Sequence, residues 1–284
     1  MRGSAMQGRQ IEIRPFGPEH LEAAVRLSRE AGWPHRLEDW KVALDLSEGI
    51  VAVDSDNEVV GTTLLTSYGT DCATINMVIV ATSMRGRGLG RCLMDAALAL
   101  AGERPLRLVA TTDGLPLYEK LGFRQTGTIV QHQGQVAATQ KPGNTEVATT
   151  ADIAAITDLD RAAFGADRSV LIARFAALGE FAVIRRDDKV AAFACLRTFG
   201  RGEVVGPVVA ANIEDAKSLL SHFMSRKTGA FLRVDIGAET GLGPWLASHS
   251  LSHVGGGIAM ARPVAARSYS STVTTFALAN QALG

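Results

Sequence analysis

A basic, glycine-rich loop between a predicted strand and a predicted helix constrains this chain more than any other feature. The strand is the apolar run Met77–Val80, and apolar residues recur at helical spacing from Leu89 to Leu100. The loop between them consists of Arg85, Gly86, Arg87, Gly88, Leu89 and Gly90. Glycines let backbone amides approach an anion closely, and the N-terminus of a helix favours negative charge. The segment therefore predicts a phosphate-binding site.

Two common phosphate-binding motifs are excluded by single residues. A P-loop requires Gly-Lys-Ser/Thr after four spacer residues, and no such sequence follows the loop. The dinucleotide fingerprint requires a third glycine three residues after Gly90, where Leu93 stands. The pattern that remains is Arg-x-x-Gly-x-Gly after a strand.

A second motif lies about thirty residues downstream, where residues 116–123 read PLYEKLGF. In this order, the two motifs resemble those of the Gcn5-related N-acetyltransferase (GNAT) family, whose loop binds the pyrophosphate of acetyl-CoA. The resemblance implies that Tyr118 is the general acid and that pantetheine lies beside Met77–Val80, with the oxyanion on a backbone N–H near Val78 or Ile79. The implied cofactor-binding residues are Met77, Val78, Ile79, Val80, Arg85, Gly86, Arg87, Gly88, Leu89, Gly90, Arg91 and Thr111.

The acceptor side of the site is less well defined by the sequence. The family builds its acceptor pocket from the first helix pair, so Trp33, Asp39 and Trp40 are candidates to line it, although two anchoring aromatics would give the same pattern. The family often carries a basic carboxylate on the strand before the loop, but the matching stretch Ala73–Asn76 contains no acid. The candidates that remain for the general base are Asp71, Asp39, Asp45 and Glu48.

The chain is predicted to be a mixed α/β protein of two tandem GNAT-like domains. The element order of the first part is βααβββαβαβ, and residues 181–196 overlay residues 50–65 in apolar pattern and turn. We expect a catalytic domain at 11–132, a polar linker at 133–146 and a degenerate domain at 147–284.

The second copy lacks the chemistry of the first. Glu214 and Asp215 fall where the first copy has its glycine loop, and Leu246 falls on Tyr118 when Pro244 is aligned with Pro116. Two carboxylates would repel a pyrophosphate. The apolar tail at residues 276–283 resembles the ending of tandem acetyltransferases with a degenerate second half.

Composition restricts the partners. The 284 residues carry 29 basic and 29 acidic side chains, so no net charge recruits nucleic acid or an anionic membrane. Three widely spaced cysteines predict reduced thiols and a cytoplasmic location, and Met1–Gln10 has no apolar region typical of an export signal. The six histidines show no metal-ligand spacing, so no metal is expected. An oligomer is left open.

The function predicted from these patterns is transfer of an acetyl group from acetyl-CoA to a primary amine of a small-molecule acceptor, by direct attack in a ternary complex. The alternative is a non-catalytic, CoA-binding regulatory or scaffold protein. Tyr118 favours the enzyme, and the missing acid in Ala73–Asn76 favours the alternative. Amino sugar, amino acid, polyamine and protein amine all remain as acceptors.

Overall fold

The computed structural model describes residues 11–263 and 271–284. The segment Met1–Gln10, for which no export signal is predicted, lies outside the described residues. No helix among the described residues is both long enough and apolar enough to cross a membrane.

The first repeat follows the predicted order of strands and helices. Its elements are β1 (Glu12–Pro15), α1 (Leu21–Glu30), α2 (Leu37–Asp45), β2 (Glu48–Val53), β3 (Val59–Tyr68), β4 (Cys72–Val80), α3 (Leu89–Ala101), β5 (Leu106–Ala110), α4 (Leu115–Lys120) and β6 (Arg124–Gln135). Pro116 lies in the first turn of α4, where its missing N–H costs no helical hydrogen bond.

The second repeat has the same succession and adds one strand. Its elements are β7 (Glu146–Val147), α5 (Ile153–Phe164), α6 (Ser169–Leu178), β8 (Gly179–Arg186), β9 (Lys189–Phe199), β10 (Gly202–Ala210), α7 (Ile213–Met224), β11 (Phe231–Gly237), α8 (Gly243–Ser248), β12 (Ser252–Arg262) and β13 (Thr274–Ala277). A short 3-10 turn, Ala238–Thr240, connects β11 to α8. Pro244 opens α8 as Pro116 opens α4, which confirms the predicted internal duplication.

The chain forms two compact units whose borders differ from those of the repeats. Unit 1 comprises the chain up to Leu65 together with Ile75–Gly102, and unit 2 comprises Thr66–Thr74 together with Glu103–Gly284. The chain passes from one unit to the other inside β3 and inside β4. The domain boundaries at residues 132 and 147 stay a prediction.

Unit 1 is a sheet with three helices. Its strands are neighbours in the order β1, β2, β3, β4, and β1 and β3 both run antiparallel to β2. Helix α1 packs against α2, and α3 packs against β2. The indole Nε1 of Trp40 donates to Ser28 Oγ at 2.9 Å, so this fully buried ring keeps its polar atom satisfied.

In unit 2 the two repeats exchange their closing strands. Strand β12 of the second repeat lies between β5 and β6 of the first, with Met260 opposite Leu108 on one side and Gln125 on the other. The other edge of β6 pairs with β11, where His132 lies opposite Val234. Each repeat is therefore completed by a strand that the other one supplies.

The polar segment predicted to be a linker begins as a strand. Strand β6 continues to Gln135, which lies opposite Phe231 of β11. The segment has no apolar period, and on that ground residues 133–135 were expected to lie outside the sheet. Backbone hydrogen bonds to a neighbouring strand do not require apolar side chains, so tertiary pairing overrides composition here.

A buried ion pair anchors the C-terminal segment of unit 2. Arg168 and Asp160 lie 2.6 Å apart with almost no exposure to solvent. The same guanidinium donates to the carbonyl of Gly284 at 2.6 Å, and the hydroxyl of Tyr68 donates to the carbonyl of Leu283 at 2.6 Å. Buried charges are tolerated when they are paired and hydrogen-bonded in this way.

The strand exchange predicts that the repeats cannot be separated. A chain ending at Pro142 lacks β12 and leaves β5 and β6 with unpaired backbone groups, so we expect it to be insoluble or unfolded when expressed alone. A full-length chain carrying a protease site at Gly143, a linker glycine with open space around it, is the matched control.

After cleavage of that control, both fragments are expected to co-elute in size-exclusion chromatography as a complex of intact size. A soluble, folded, monomeric fragment of residues 1–142 would contradict the interdependence of the two repeats.

Candidate active site

The predicted phosphate loop has the backbone that an anion site requires. Gly86 and Gly88 adopt φ angles of +73° and +81°, in the left-handed region that favours glycine, and no atom lies within 4 Å of a Cβ built on either. Gly88 caps α3, which starts at Leu89. The residues from Arg85 to Gly88 are exposed. The first amides of α3 are therefore preceded by an exposed loop in which no side chain of Gly86 or Gly88 blocks an approaching anion.

Three arginines in and next to this loop differ in their interactions with the rest of the protein. Arg87 is exposed and has no ion-pair partner among the described residues, whereas Arg85 Nε is 3.5 Å from the carbonyl of Val80. Arg91 forms an i, i+4 ion pair with Asp95 at 2.8 Å. Two cations are thus close to the helix N-terminus, and the third has a carboxylate partner.

Strand β4 is irregular where the resemblance implies the oxyanion contact. Met77 has a φ of +50°, an uncommon value for a residue with a side chain, and such a conformation costs about 1 to 3 kcal/mol. The buried hydroxyl of Thr62 on β3 donates to the carbonyl of Met77 at 2.8 Å. This hydrogen bond helps to hold the peptide between Met77 and Val78 out of the regular pleat.

Tyr118 lies in unit 2, on α4. It is 8% exposed, and its ring packs edge-on against Phe123 at 6.2 Å. A Cβ on Gly114 would lie 2.8 Å from the ring, so a glycine is needed beneath the tyrosine. Burial raises the pKa of Tyr118 to about 12. No described residue hydrogen-bonds its hydroxyl, which is therefore a protonated donor at neutral pH without an intramolecular acceptor.

Thr111, another predicted cofactor residue, shapes the turn before α4. Its hydroxyl accepts a hydrogen bond from the N–H of Gly114 at 3.3 Å, and the residue is exposed. A contact between Thr111 and the cofactor stays a prediction.

The predicted acceptor residues on the first helix pair have clear structural roles in unit 1. Asp39 is buried, accepts from the backbone N–H of Arg36 at 2.8 Å and forms an ion pair with its guanidinium at 2.7 Å. Trp40 is fully buried, whereas Trp33 is half-buried and packs edge-on against His35 at 5.6 Å. Helix capping and core packing account for Asp39 and Trp40, and acceptor binding by any of the three stays a prediction.

The second repeat fills the positions that the first leaves open. At the N-terminus of α7, Asn212 Oδ1 accepts from the N–H of Asp215 at 2.9 Å, and the buried Asp215 carboxylate pairs with Arg186 at 2.7 Å. Strand β13 lies between β10 and β11, with Thr275 opposite Val209. The helix N-terminus and the strand gap that would correspond to a cofactor site are both occupied by protein.

A cavity of about 260 Å³ lies within unit 2. Its polar lining includes Thr74, Arg107, Glu239 and Thr275, and most of the remaining lining is apolar. Glu239 is not among the site residues predicted from the sequence, although the overlay of Pro244 on Pro116 places this acid on Thr111. No group of metal-ligating side chains occurs among the described residues.

The chain matches two sequence models of one family. The acetyltransferase (GNAT) family model matches residues 9–123. The acetyltransferase (GNAT) domain model matches residues 156–272. The two matches lie in tandem, one on each predicted repeat.

Individual relatives agree with these matches. The chain is 27% identical over 235 residues to the uncharacterized N-acetyltransferase YitH of Bacillus subtilis. This alignment covers 80% of this chain and 83% of the relative. A putative acetyltransferase from Pyrococcus horikoshii superposes with a TM-score of 0.81 at 18% identity, over 100% of this chain and 99% of that one.

A GCN5-related N-acetyltransferase from Sphaerobacter thermophilus superposes with a TM-score of 0.62 at 18% identity, over 89% of this chain and 95% of that one. At such identities the solved structures show the fold alone. The two tandem family matches show more: the chain belongs to the Gcn5-related N-acetyltransferase superfamily and is an acyltransferase built from two tandem domains.

Proposed function

We propose that the chain transfers the acetyl group of acetyl-CoA to a primary amine of a small-molecule acceptor, by direct attack in a ternary complex. The observation that carries this proposal is the open loop at the start of α3, with Gly86 and Gly88 in the left-handed conformation. Backbone amides and the free Arg87 side chain suit a pyrophosphate, and hydrogen bonds to such a charged group contribute about 1.5 to 3 kcal/mol each.

The thioester carbonyl needs a hydrogen-bond donor when it becomes an oxyanion. In this proposal the donor is a backbone N–H near Val78 or Ile79, next to the irregular residue Met77. The Thr62 hydrogen bond to Met77 fixes this backbone before the reaction, so no reorganisation is needed in the transition state. Donors of this kind typically contribute about 10²- to 10³-fold to kcat.

Tyr118 is proposed to be the general acid that protonates the departing thiolate. The phenol pKa of about 12 lies roughly 3.5 units above that of an ordinary thiol near 8.5, so full proton transfer is uphill by about 5 kcal/mol. A hydrogen bond from the phenol to the sulfur stabilises the developing thiolate before this transfer. The proton then moves to sulfur as the carbon–sulfur bond breaks and the carbon–nitrogen bond forms.

The amine must lose a proton before it attacks. A lysine-like amine with a pKa near 10.4 is about one part in a thousand neutral at pH 7.4, which costs roughly 4 kcal/mol. Of the four acids that the sequence leaves open, Asp39 is engaged with Arg36 and Asp71 accepts from the N–H of Asp167 at 3.3 Å. The hydroxyl of Tyr118, with no partner among the described residues, favours the enzyme over a non-catalytic CoA-binding protein.

Replacing Gly88 by glutamate is expected to weaken CoA binding by about 10- to 100-fold, because a carboxylate would lie among the phosphates and amide contacts would be lost. Isothermal titration calorimetry measures the affinity. Gly32→Glu is the matched control, since Gly32 also has a left-handed φ of +75° and open space around it but lies at the end of α1. Equal CoA affinities of the two variants would refute the pyrophosphate assignment.

Tyr118→Phe is expected to lower kcat by about 10²-fold, the usual size of a proton-transfer contribution, with little change in the KM for acetyl-CoA. Because burial raises the pKa of Tyr118 to about 12, the phenol stays protonated as pH rises from 7 to 10. The ratio of wild-type to variant kcat should therefore be constant across this range. A ratio near one throughout would assign the tyrosine to packing.

One CoA per chain is the expected stoichiometry, because Asp215 and β13 fill the corresponding positions of the second repeat. Calorimetric titration of the wild type measures it directly. The Gly88→Glu variant should leave no second site of comparable affinity. Two equivalent sites in the wild type would mean that the second repeat has kept cofactor binding.

A further inference from the structure

The cavity of unit 2 is built by both repeats. Thr74 and the stretch Leu106–Val109 of the first repeat form part of its lining, and residues of the 3-10 turn and of the C-terminal segment close it from the second repeat. Thr74 belongs to the stretch Ala73–Asn76, in which the family often places a basic carboxylate and this chain has none. The cavity therefore starts at the strand positions where an acceptor amine would need a base.

Of the two charged side chains in the lining, Arg107 has partners in the protein and Glu239 has none among the described residues. Arg107 is the only base among the described lining residues, and it is engaged: its Nη1 donates to the carbonyl of Phe164 at 2.9 Å, and its guanidinium lies 4.6 Å from the centre of that ring. Glu239 is the only acid of this lining and has no ion-pair or hydrogen-bond partner among the described residues. Glu239 is exposed, so its carboxylate is open to a cationic ligand as well as to water.

Two further observations place polar atoms at the cavity wall. The carboxylate of Glu239 folds back over Gly237, another lining residue, into the space that a side chain at position 237 would occupy. The hydroxyl of Thr275 is buried and has no hydrogen-bond partner among the described residues. A ligand with one cationic group would pair with the carboxylate of Glu239.

We propose that this cavity binds the acceptor amine and that Glu239 is its general base, supplied by the second repeat. This inference rests on the proposed function and deepens it. The Glu239 carboxylate pairs with the ammonium group and takes one proton from it, leaving neutral nitrogen with a lone pair. That lone pair forms the carbon–nitrogen bond as the thioester carbon–sulfur bond breaks, and the thiolate takes up a proton.

The lining also defines the class of acceptor. A cavity of about 260 Å³ is the size of a small-molecule site rather than of a macromolecular groove. A single free acid suits a single amine, whereas a polyamine would bring further cations without partners. Apolar walls such as Leu108, Phe164 and Met260 suit an aliphatic or aromatic body. The acceptor class is a primary monoamine with a compact apolar body.

Binding of phenethylamine and of its uncharged analogue phenethyl alcohol tests the site without any cofactor. Calorimetry or ligand-observed NMR at pH 7.4 should show that the wild type prefers the amine by at least about 10-fold, the contribution of one charge-assisted hydrogen bond. Glu239→Gln should abolish this preference while still binding the alcohol. Glu214→Gln, an exposed acid of the second repeat outside the cavity lining, should keep it.

A cavity-filling pair tests the location. Gly127 lines the cavity, has an ordinary φ and has open space around a built Cβ, so Gly127→Leu should fill the cavity without a backbone clash and lose both ligands. Gly143 has the same open surroundings but lies in the polar segment before β7, so Gly143→Leu should bind like the wild type. Unchanged binding by Gly127→Leu would overturn the cavity assignment.

Turnover separates this inference from the proposed function. With acetyl-CoA and phenethylamine, Glu239→Gln should lower kcat/KM for the amine by about 10²-fold, with CoA affinity unchanged. Equal kcat/KM of the wild type and Glu239→Gln would overturn the base assignment even though transfer occurs. Amine binding that depends on Glu239, without acetylation of any amine tested, would support the amine site and refute the transfer reaction.

Discussion

The backbone pairing of β12 with β5 and β6 is the interaction on which unit 2 depends. Strand β12 gives the first repeat a neighbour for β5, and β6 gives the second repeat a neighbour for β11. A strand edge that keeps its N–H and C=O groups unpaired invites aggregation, and exchange removes two such edges at once. Within unit 2 the two repeats therefore share one sheet, although the sequence is organised as two similar halves.

The sequence predicts those parts of the fold that depend on local pattern. Helical spacing behind the glycine loop, the β2–β3 hairpin and its copy β8–β9, and the proline at the start of α4 and of α8 all occur where expected. Strand exchange has no local signature, because it depends on which edges meet in three dimensions. Residues 131–135 and the triple glycine at 255–257 have weak strand propensity and become strands only because their neighbours provide backbone partners.

The candidate site also has parts that local sequence predicts and parts that depend on the folded chain. Two glycines spaced around an arginine predict the left-handed backbone of the loop, since few other residues adopt it. Met77 carries no such signal: its residue type does not favour a positive φ, and the Thr62 hydroxyl that donates to its carbonyl comes from the preceding strand. Glu239 was missed because it lies 165 positions after Thr74, and only the folded chain brings both to the lining of one cavity.

The two copies of the strand–helix unit show how one scaffold loses a site and keeps its shape. At α3 the N-terminus follows exposed glycines, whereas at α7 Asn212 Oδ1 accepts from the N–H of Asp215 and Arg186 pairs with the Asp215 carboxylate. Without Arg186, the buried Asp215 carboxylate would keep only the side-chain amide of Asn212 as a partner and would lose its ion pair. A helix N-terminus that satisfies itself needs no anion. Without a cofactor of its own, the second repeat contributes strands to the sheet of unit 2 and side chains such as Glu239 to the lining of its cavity.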